Sequence, residues 1–153
     1  MNCNNRSGQI TNILYEDIHI LSPFWWAVWI GPQQQHEPHT KRGAKCSLFW
    51  PIEGYGECPS PGCVDMENIT LRNVHIYEPV LSPGVILGNE TNPIRNLVFD
   101  HVWVTDSKRK PWIGKWPFHK KEYPWRGRFK CINAEGWSNH TNPVPWCLPE
   151  IEN

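Results

Sequence analysis

Apolar residues recur in the same arrangement in three stretches of the chain. Counted from the first residue of each stretch, they occupy offsets 0, 3, 5, 8 and 10. The stretches are Ile10–Ile20 (ITNILYEDIHI), Met66–Ile76 (MENITLRNVHI) and Ile94–Val104 (IRNLVFDHVWV). Steps of two are typical of a β-strand, whereas a helix requires steps of three and four. Steps of three fit corners, and one corner offset is shared by Asn12, Asn68 and Asn96, since asparagine tolerates unusual backbone angles.

The spacing of the copies predicts a repetitive fold. They begin at residues 10, 66 and 94, so that one interval is 56 residues and the other 28. Two further phrases, AVWIG from Ala27 and GVILG from Gly84, each follow a Ser-Pro. Short strands at a period of 28 residues are typical of a solenoid. We therefore predict an all-β protein, a parallel β-helix fragment of about three coils; the alternative is a β-sandwich with accidental similarity between the phrases.

The other segments are predicted to be loops and a cap within one domain, 1–153. Fifteen prolines and eleven glycines argue against long helices. Within the coils of 8–104, the segment 32–64 is a long loop, which is followed by a basic loop at 105–130 and a C-terminal cap at 131–153. Cys131 is predicted to pair with Cys147 across the cap, and Cys46 with Cys58 in the long loop. Cys63 is then left for Cys3 or for a partner upstream.

Cysteines and glycosylation sequons together indicate an oxidising, secretory compartment. The chain has six cysteines and four N-x-[ST] sequons. Asn89 and Asn139 lie in turn-like sequence and are the better acceptors, whereas Asn5 and Asn68 are weaker ones. No apolar run is long enough to span a bilayer. The first ten residues lack the layout of a signal peptide, and a missing N-terminal portion would reconcile this with a secreted or cell-wall protein.

These phrases resemble the last coils of the polygalacturonase-like proteins of glycoside hydrolase family 28. The resemblance rests on ITNILYEDIHI, WWAVWIGPQQQ, ENITLRNVHI, LSPGVILGNETNP and the closing NPVPWC. It covers most of residues 8–104 and again 129–148. It implies a right-handed parallel β-helix of the pectin lyase type, and inverting hydrolysis of pectin-type polysaccharide.

The same resemblance implies that this chain carries no catalytic residue of its own. The family's motifs N-x-D, D-D, G-H-G and R-I-K do not occur in it. The phrase GQITNILYEDIHI follows R-I-K in the family, so the chain corresponds to the C-terminal part of such a glycosidase. The carboxylates Glu16, Asp17, Glu67 and Asp100 are expected to be scattered over different coils, with no partner carboxylate near Glu16. Inverting hydrolysis needs two positioned carboxylates, so we expect no hydrolysis. The alternative is a non-catalytic glycan-binding or structural module.

Two segments are candidates for ligand binding. In the family, the strand matching Ala27–Gly31 borders the substrate groove, so the resemblance places Gln33 and Gln34 near sugar. The stretch from Lys108 to Lys130 holds nine basic residues and one acid, interleaved with aromatic residues. It suits an anionic polysaccharide, although an ordinary loop is the main alternative; secretion argues against a nucleic-acid partner. His36 and His39 do not have the spacing of a structural zinc site with the cysteines, so neither metal nor cofactor is expected.

Overall fold

The computed structural model describes residues 8–24, 26–31, 62–79, 82–105 and 128–151. These residues form seven strands and, within the described ranges, no helix, in agreement with the predicted all-β class. The strands are β1 (Gly8–Leu21), β2 (Val28–Ile30), β3 (Val64–Tyr77), β4 (Gly84–Leu87), β5 (Ile94–Thr105), β6 (Lys130–Ile132) and β7 (Ala134–Asn139). The described part of the chain contains no helix that could cross a membrane.

The strands form two parallel sheets, and the chain alternates between them. The larger sheet has the order β1-β3-β5-β7 and the smaller sheet β2-β4-β6. The three apolar copies lie side by side in the larger sheet at equal offsets, with Ile13 opposite Ile69 and Ile69 opposite Leu97. The shared pattern therefore sets the register, because every inward residue of one copy stacks on an inward residue of the next.

Left-handed residues explain the steps of three in the pattern. Asn12, Asn68 and Asn96 have φ values of 58°, 55° and 49°. A single residue in this region interrupts the strand alternation, so that the apolar residues before and after it both face inward. A second set of left-handed residues follows five positions later in each copy, at Asp17, Asn73 and His101. The asparagine corner inferred from the sequence is thus present, and it has a companion that the sequence reading did not identify.

One apolar core takes side chains from both sheets. From the larger sheet it includes Ile76, Phe99 and Val102, and from the smaller sheet Ile86, and all four are completely excluded from solvent. Phe129 completes the cluster, with its ring edge-on to Phe99 at 5.3 Å between centroids. Because burial of each such side chain contributes roughly 1.5–3 kcal/mol, this cluster is the main source of stability in the described strands.

In the smaller sheet, β2 and β4 pair in a register shifted by one residue from the direct alignment of the phrases AVWIG and GVILG. Aligning AVWIG with GVILG places Val28 beside Val85, whereas the structure pairs Val28 with Gly84 and Ile30 with Ile86. Ile30 and Ile86 then both face the main core, while Trp29 packs with Val85 on the other face. A slip of one residue would put the two isoleucines on opposite faces.

The segment predicted to be a cap also contributes strands. β6 pairs with β4, and β7 pairs with β5 beyond an irregularity between Ile94 and Leu97. Residues after β7 cover its free edge: the Ser138 amide donates to the Pro149 carbonyl, and the Ile151 amide donates to the Ser138 carbonyl, each at 2.9 Å. The predicted disulfide between Cys131 and Cys147 is present and ties this cover to β6.

Candidate functional site

The outer face of the larger sheet is organised in rows, because equal offsets of successive copies stack on one another. The first row is an asparagine ladder. Asn96 donates from Nδ2 to Oδ1 of Asn68 at 2.8 Å, and Asn68 donates from Nδ2 to Oδ1 of Asn12 at 3.2 Å. Both hydrogen bonds run in the same direction, from β5 toward β1. The ladder fixes the corners of neighbouring strands to each other.

The second row alternates in charge. Glu16, Arg72 and Asp100 lie side by side on β1, β3 and β5. Arg72 reaches Glu16 at 3.2 Å through Nη1 and Asp100 at 3.4 Å through Nε. Asn139 on β7 adds a hydrogen bond from its Nδ2 to Asp100 at 3.1 Å. The row therefore crosses all four strands of the sheet.

Asp100 is the best-supported carboxylate of the row. Burial alone would raise its pKa, but hydrogen bonds from His101 and Asn139, the charge of protonated His101 and the bond from Arg72 together lower it. The His101 imidazole Nδ1 lies 2.8 Å from the carboxylate. A carboxyl group with a lowered pKa is ionised at neutral pH and is poorly suited to act as a general acid.

This row corrects one prediction from the sequence. Glu16 and Asp100 were expected to be scattered over different coils and corners; they do lie on different strands, but they share one offset and flank the same arginine. Two strand spacings separate their backbones, roughly 9.6 Å, which is just beyond the carboxyl separation of about 6.5–9.5 Å in inverting glycosidases. Arg72 occupies the space between the two carboxylates and forms an ion pair with each. Glu16 and Asp100 therefore form an ion-pair row and not an open pair for hydrolysis.

The third row is aromatic and lies near the ends of the long strands. His19, His75 and Trp103 occupy equal offsets on β1, β3 and β5. The imidazole rings of His19 and His75 stack with centroids 5.1 Å apart, and Nδ1 of His19 lies 3.1 Å from the hydroxyl of Tyr77. Trp103 is 42% exposed. This row gives the sheet an exposed strip that can contact planar or ring-shaped ligands.

A cavity of about 300 Å³ opens at the β1 end of the two sheets. Its walls are mainly apolar, and most of them are inward side chains of β1, β2 and β3. It is lined by Tyr15, Ile18, Ile20, Ala27, Val28, Trp29, Ile30, Leu71 and Val74. The cavity continues the core to a point where, in the described residues, no further strand follows.

The structure describes three of the four sequons. Asn68 is exposed and not inward-facing, but the ladder holds both its amide nitrogen and its oxygen. At Asn89, Oδ1 accepts hydrogen bonds from the amide and the hydroxyl of Thr91 at 2.9 and 2.7 Å. At Asn139, the hydroxyl of Thr141 is buried and lies 3.1 Å from the Phe99 carbonyl oxygen. Asn89 and Asn139 are both half-buried, and the Asn139 side chain also donates a hydrogen bond to Asp100.

Several predicted site residues lie outside the described part of the chain. They are Asn5, Gln33, Gln34, the proposed pair Cys46 and Cys58, and residues 108–127 of the basic stretch. Cys63 is disulfide-bonded. Of the basic stretch, the structure describes only Arg128, Phe129 and Lys130. Phe129 is buried in the core, and Lys130 begins β6. Across the described ranges, no group of three potential metal ligands is found.

A scan against protein-family models and searches of the curated proteins and of the solved structures find nothing similar to this chain.

Proposed function

We propose that the two sheets are faces of a right-handed parallel β-helix, and that the chain is the C-terminal part of a polygalacturonase-like glycosidase acting on pectin-type polysaccharide. The observation that carries the proposal is the in-register stacking of three sequence copies whose connections run through the other sheet. A crossover between parallel strands of one sheet is right-handed in almost all proteins, which supports the handedness. The similarity of the repeated phrases to polygalacturonase-like proteins supports the substrate class.

In this proposal the chain supplies scaffold and ligand contacts and does not cleave the bond. The family's catalytic motifs are not in these 153 residues. Of the described carboxylates, Glu16 and Asp100 are both engaged in ion pairs with Arg72. The disulfide between Cys131 and Cys147 supports an oxidising, extracellular or cell-wall location. A glycan-binding or structural module without hydrolytic activity is the second candidate, favoured by the exposed aromatic row at His19, His75 and Trp103.

The substrate class is tested by binding of the full chain to immobilised polygalacturonate and to a neutral glucan. We expect retention on polygalacturonate that weakens with salt, because exposed charges are screened over about 8 Å at physiological ionic strength. Replacing Lys120, Lys121 and Arg126 by alanine should release the protein at lower salt. The matched control replaces Lys41, Arg42 and Lys45, which removes the same charge from another segment and should change nothing.

The same preparations are assayed for release of reducing sugars. No release above a protein-free control is expected, and hydrolysis would overturn the assignment of a non-catalytic part. Equal affinity for both polysaccharides, or equal losses in the two triple variants, would remove the anionic glycan from the proposal.

A further inference from the structure

The asparagine ladder and the charged row both end at β1. The last residue of each row, Asn12 and Glu16, can still form one further hydrogen bond or ion pair. Asn12 accepts from Asn68, and its own Nδ2 makes no hydrogen bond within the described residues. Glu16 has Arg72 on one side only. The direction of the ladder aims the free amide of Asn12 away from β3, toward the position of a further strand.

The apolar side of β1 is open at the same place. Ile10 and Tyr15 are 41% and 51% exposed, whereas their counterparts on β3, Met66 and Leu71, are 7% and 3% exposed. The cavity at this end is walled by the inward residues of β1 and β2. Within the described strands β1 pairs only with β3, so the peptide groups along its other edge have no strand partner. An edge of this kind is a template for pairing.

We propose that the free edge of β1 binds a parallel β-strand from a polypeptide outside these 153 residues, and that this strand repeats the pattern of β3. The three copies of the pattern in this chain already occupy β1, β3 and β5. The partner strand carries an amide or carboxyl oxygen beside Asn12, to accept from its Nδ2. It carries arginine or lysine beside Glu16, which continues the alternation of charge.

A second copy of the chain does not meet these requirements. Its β3 and β5 are paired on both sides, and its β7 edge is covered by residues 149–151. Among the described strands of its larger sheet only β1 has an open edge, and a two-fold contact between two β1 strands would be antiparallel. Antiparallel pairing does not place equal offsets side by side, so neither the asparagine ladder nor the charged row would continue.

The partner's chemistry is tested with a synthetic peptide of the β3 sequence, VDMENITLRNVHIY, labelled with a fluorophore and titrated with the full-length chain. In parallel register its asparagine faces Asn12 and its arginine faces Glu16. A peptide with Arg72→Glu is expected to bind roughly fivefold more weakly, because an attractive ion pair becomes a repulsive one. A scrambled peptide of the same composition should not bind.

The charge reversal is then made on the protein. The variant Glu16→Arg should invert the order and prefer the Arg72→Glu peptide. In an antiparallel arrangement that aligns the two strands end to end, Glu16 would face Ile69 of the peptide, so in that register the charge swap should produce no inverted preference. As a control in the smaller sheet, Lys130→Glu should leave both affinities unchanged.

Three results would overturn the proposal. The first is equal affinity for the native and the scrambled peptide, and the second is the same peptide preference in the native chain and in Glu16→Arg. The third is a second copy of the chain already bound at the β1 edge. The last is measured by sedimentation, where a dimer of the full chain that Glu16→Arg disrupts would assign the edge to a second copy. The proposal depends on the parallel sheet and not on a glycan, so a failure to bind polygalacturonate leaves it unaffected.

Discussion

The two ends of the larger sheet are built from the same kind of strand and finish differently. At the β7 end, the chain folds back over the edge, and Ser138, Thr141 and Leu148 are buried there. At the β1 end, the described residues leave the edge and its apolar side chains open. Ile10, Met66 and Ile94 hold the same offset in their copies and are 41%, 7% and 1% exposed. The burial of a repeat position is therefore decided by its neighbours in the stack and not by its own sequence.

The difference between the two ends predicts that residues at the same offset contribute unequally to stability, and the largest difference is expected at offset 5, between Phe99 and Tyr15. Phe99→Ala should lower the free energy of unfolding by about 3–5 kcal/mol, because it leaves a cavity in the closed core. Tyr15→Ala, at the same offset but 51% exposed, should cost less than about 1 kcal/mol. Urea unfolding of both variants measures the difference. Equal losses would mean that the β1 end is as closed as the middle of the stack.

The sequence contained most of what defines the larger sheet. The offsets predicted its register, and Asn12, Asn68 and Asn96 marked its corners. The charged row was missed although its signal was present, because Glu16, Arg72 and Asp100 all stand at offset 6 of their copies. Attention to apolar positions alone hides such a row.

The C-terminal strand β7 could not be found in the same way. Its sequence, AEGWSN, lacks the apolar offsets of the other copies. It is held by the disulfide, by the chain that returns over it and by the close approach of Gly136 to β5. These are tertiary features, and no local pattern indicates them. The placement of ligand-binding residues was beyond the sequence for another reason, since Gln33 and Gln34 were assigned by family resemblance alone.

The stability of the β7 end of the larger sheet should depend on the disulfide between Cys131 and Cys147. Replacing Cys131 and Cys147 together by alanine opens a loop with a sequence separation of 16 residues. The expected loss is about 3 kcal/mol, mainly because the unfolded chain regains freedom. Thermal unfolding of the double variant should show this loss, and reductant should destabilise the native chain by at least as much, because it also breaks the disulfide of Cys63. A loss confined to reductant and absent from the variant would assign the effect to another disulfide, such as that of Cys63.

The next contrast between the β7 end and the β1 end concerns two glycines, Gly136 and Gly8. A Cβ on Gly136 would overlap the carbonyl oxygen of Leu97, whereas a Cβ on Gly8 would meet only Cγ2 of Val64 at 3.8 Å. Gly136→Ala should therefore cost about 1–3 kcal/mol, since the main chains of β5 and β7 must separate. Gly8→Ala is the matched control at the open end, and its unfolding free energy should stay within about 0.5 kcal/mol of the native value.

The smallest contrast lies within the charged row. Asp100 sits between strands and is 20% exposed, whereas Glu16 at the open edge is 42% exposed. At neutral pH, Asp100→Asn should cost about 1 kcal/mol and Glu16→Gln about 0.3 kcal/mol, because solvent weakens exposed ion pairs.

The loss at Asp100 should also depend on pH in a defined direction. The pKa of Asp100 is lowered in the fold, so its contribution is complete above the pKa of an unfolded aspartate, about 3.9. It then disappears as the pH falls through the lower value of the folded state. Urea unfolding of the native chain and of Asp100→Asn at pH 7 and at about pH 2.5, which is below the unfolded value of about 3.9, should show a difference that shrinks toward acid. A difference that grows toward acid would mean that the hydrogen bonds from His101, Asn139 and Arg72 do not outweigh the effect of burial on the pKa of Asp100. Packing would then hold the charged row together equally at both ends of the sheet.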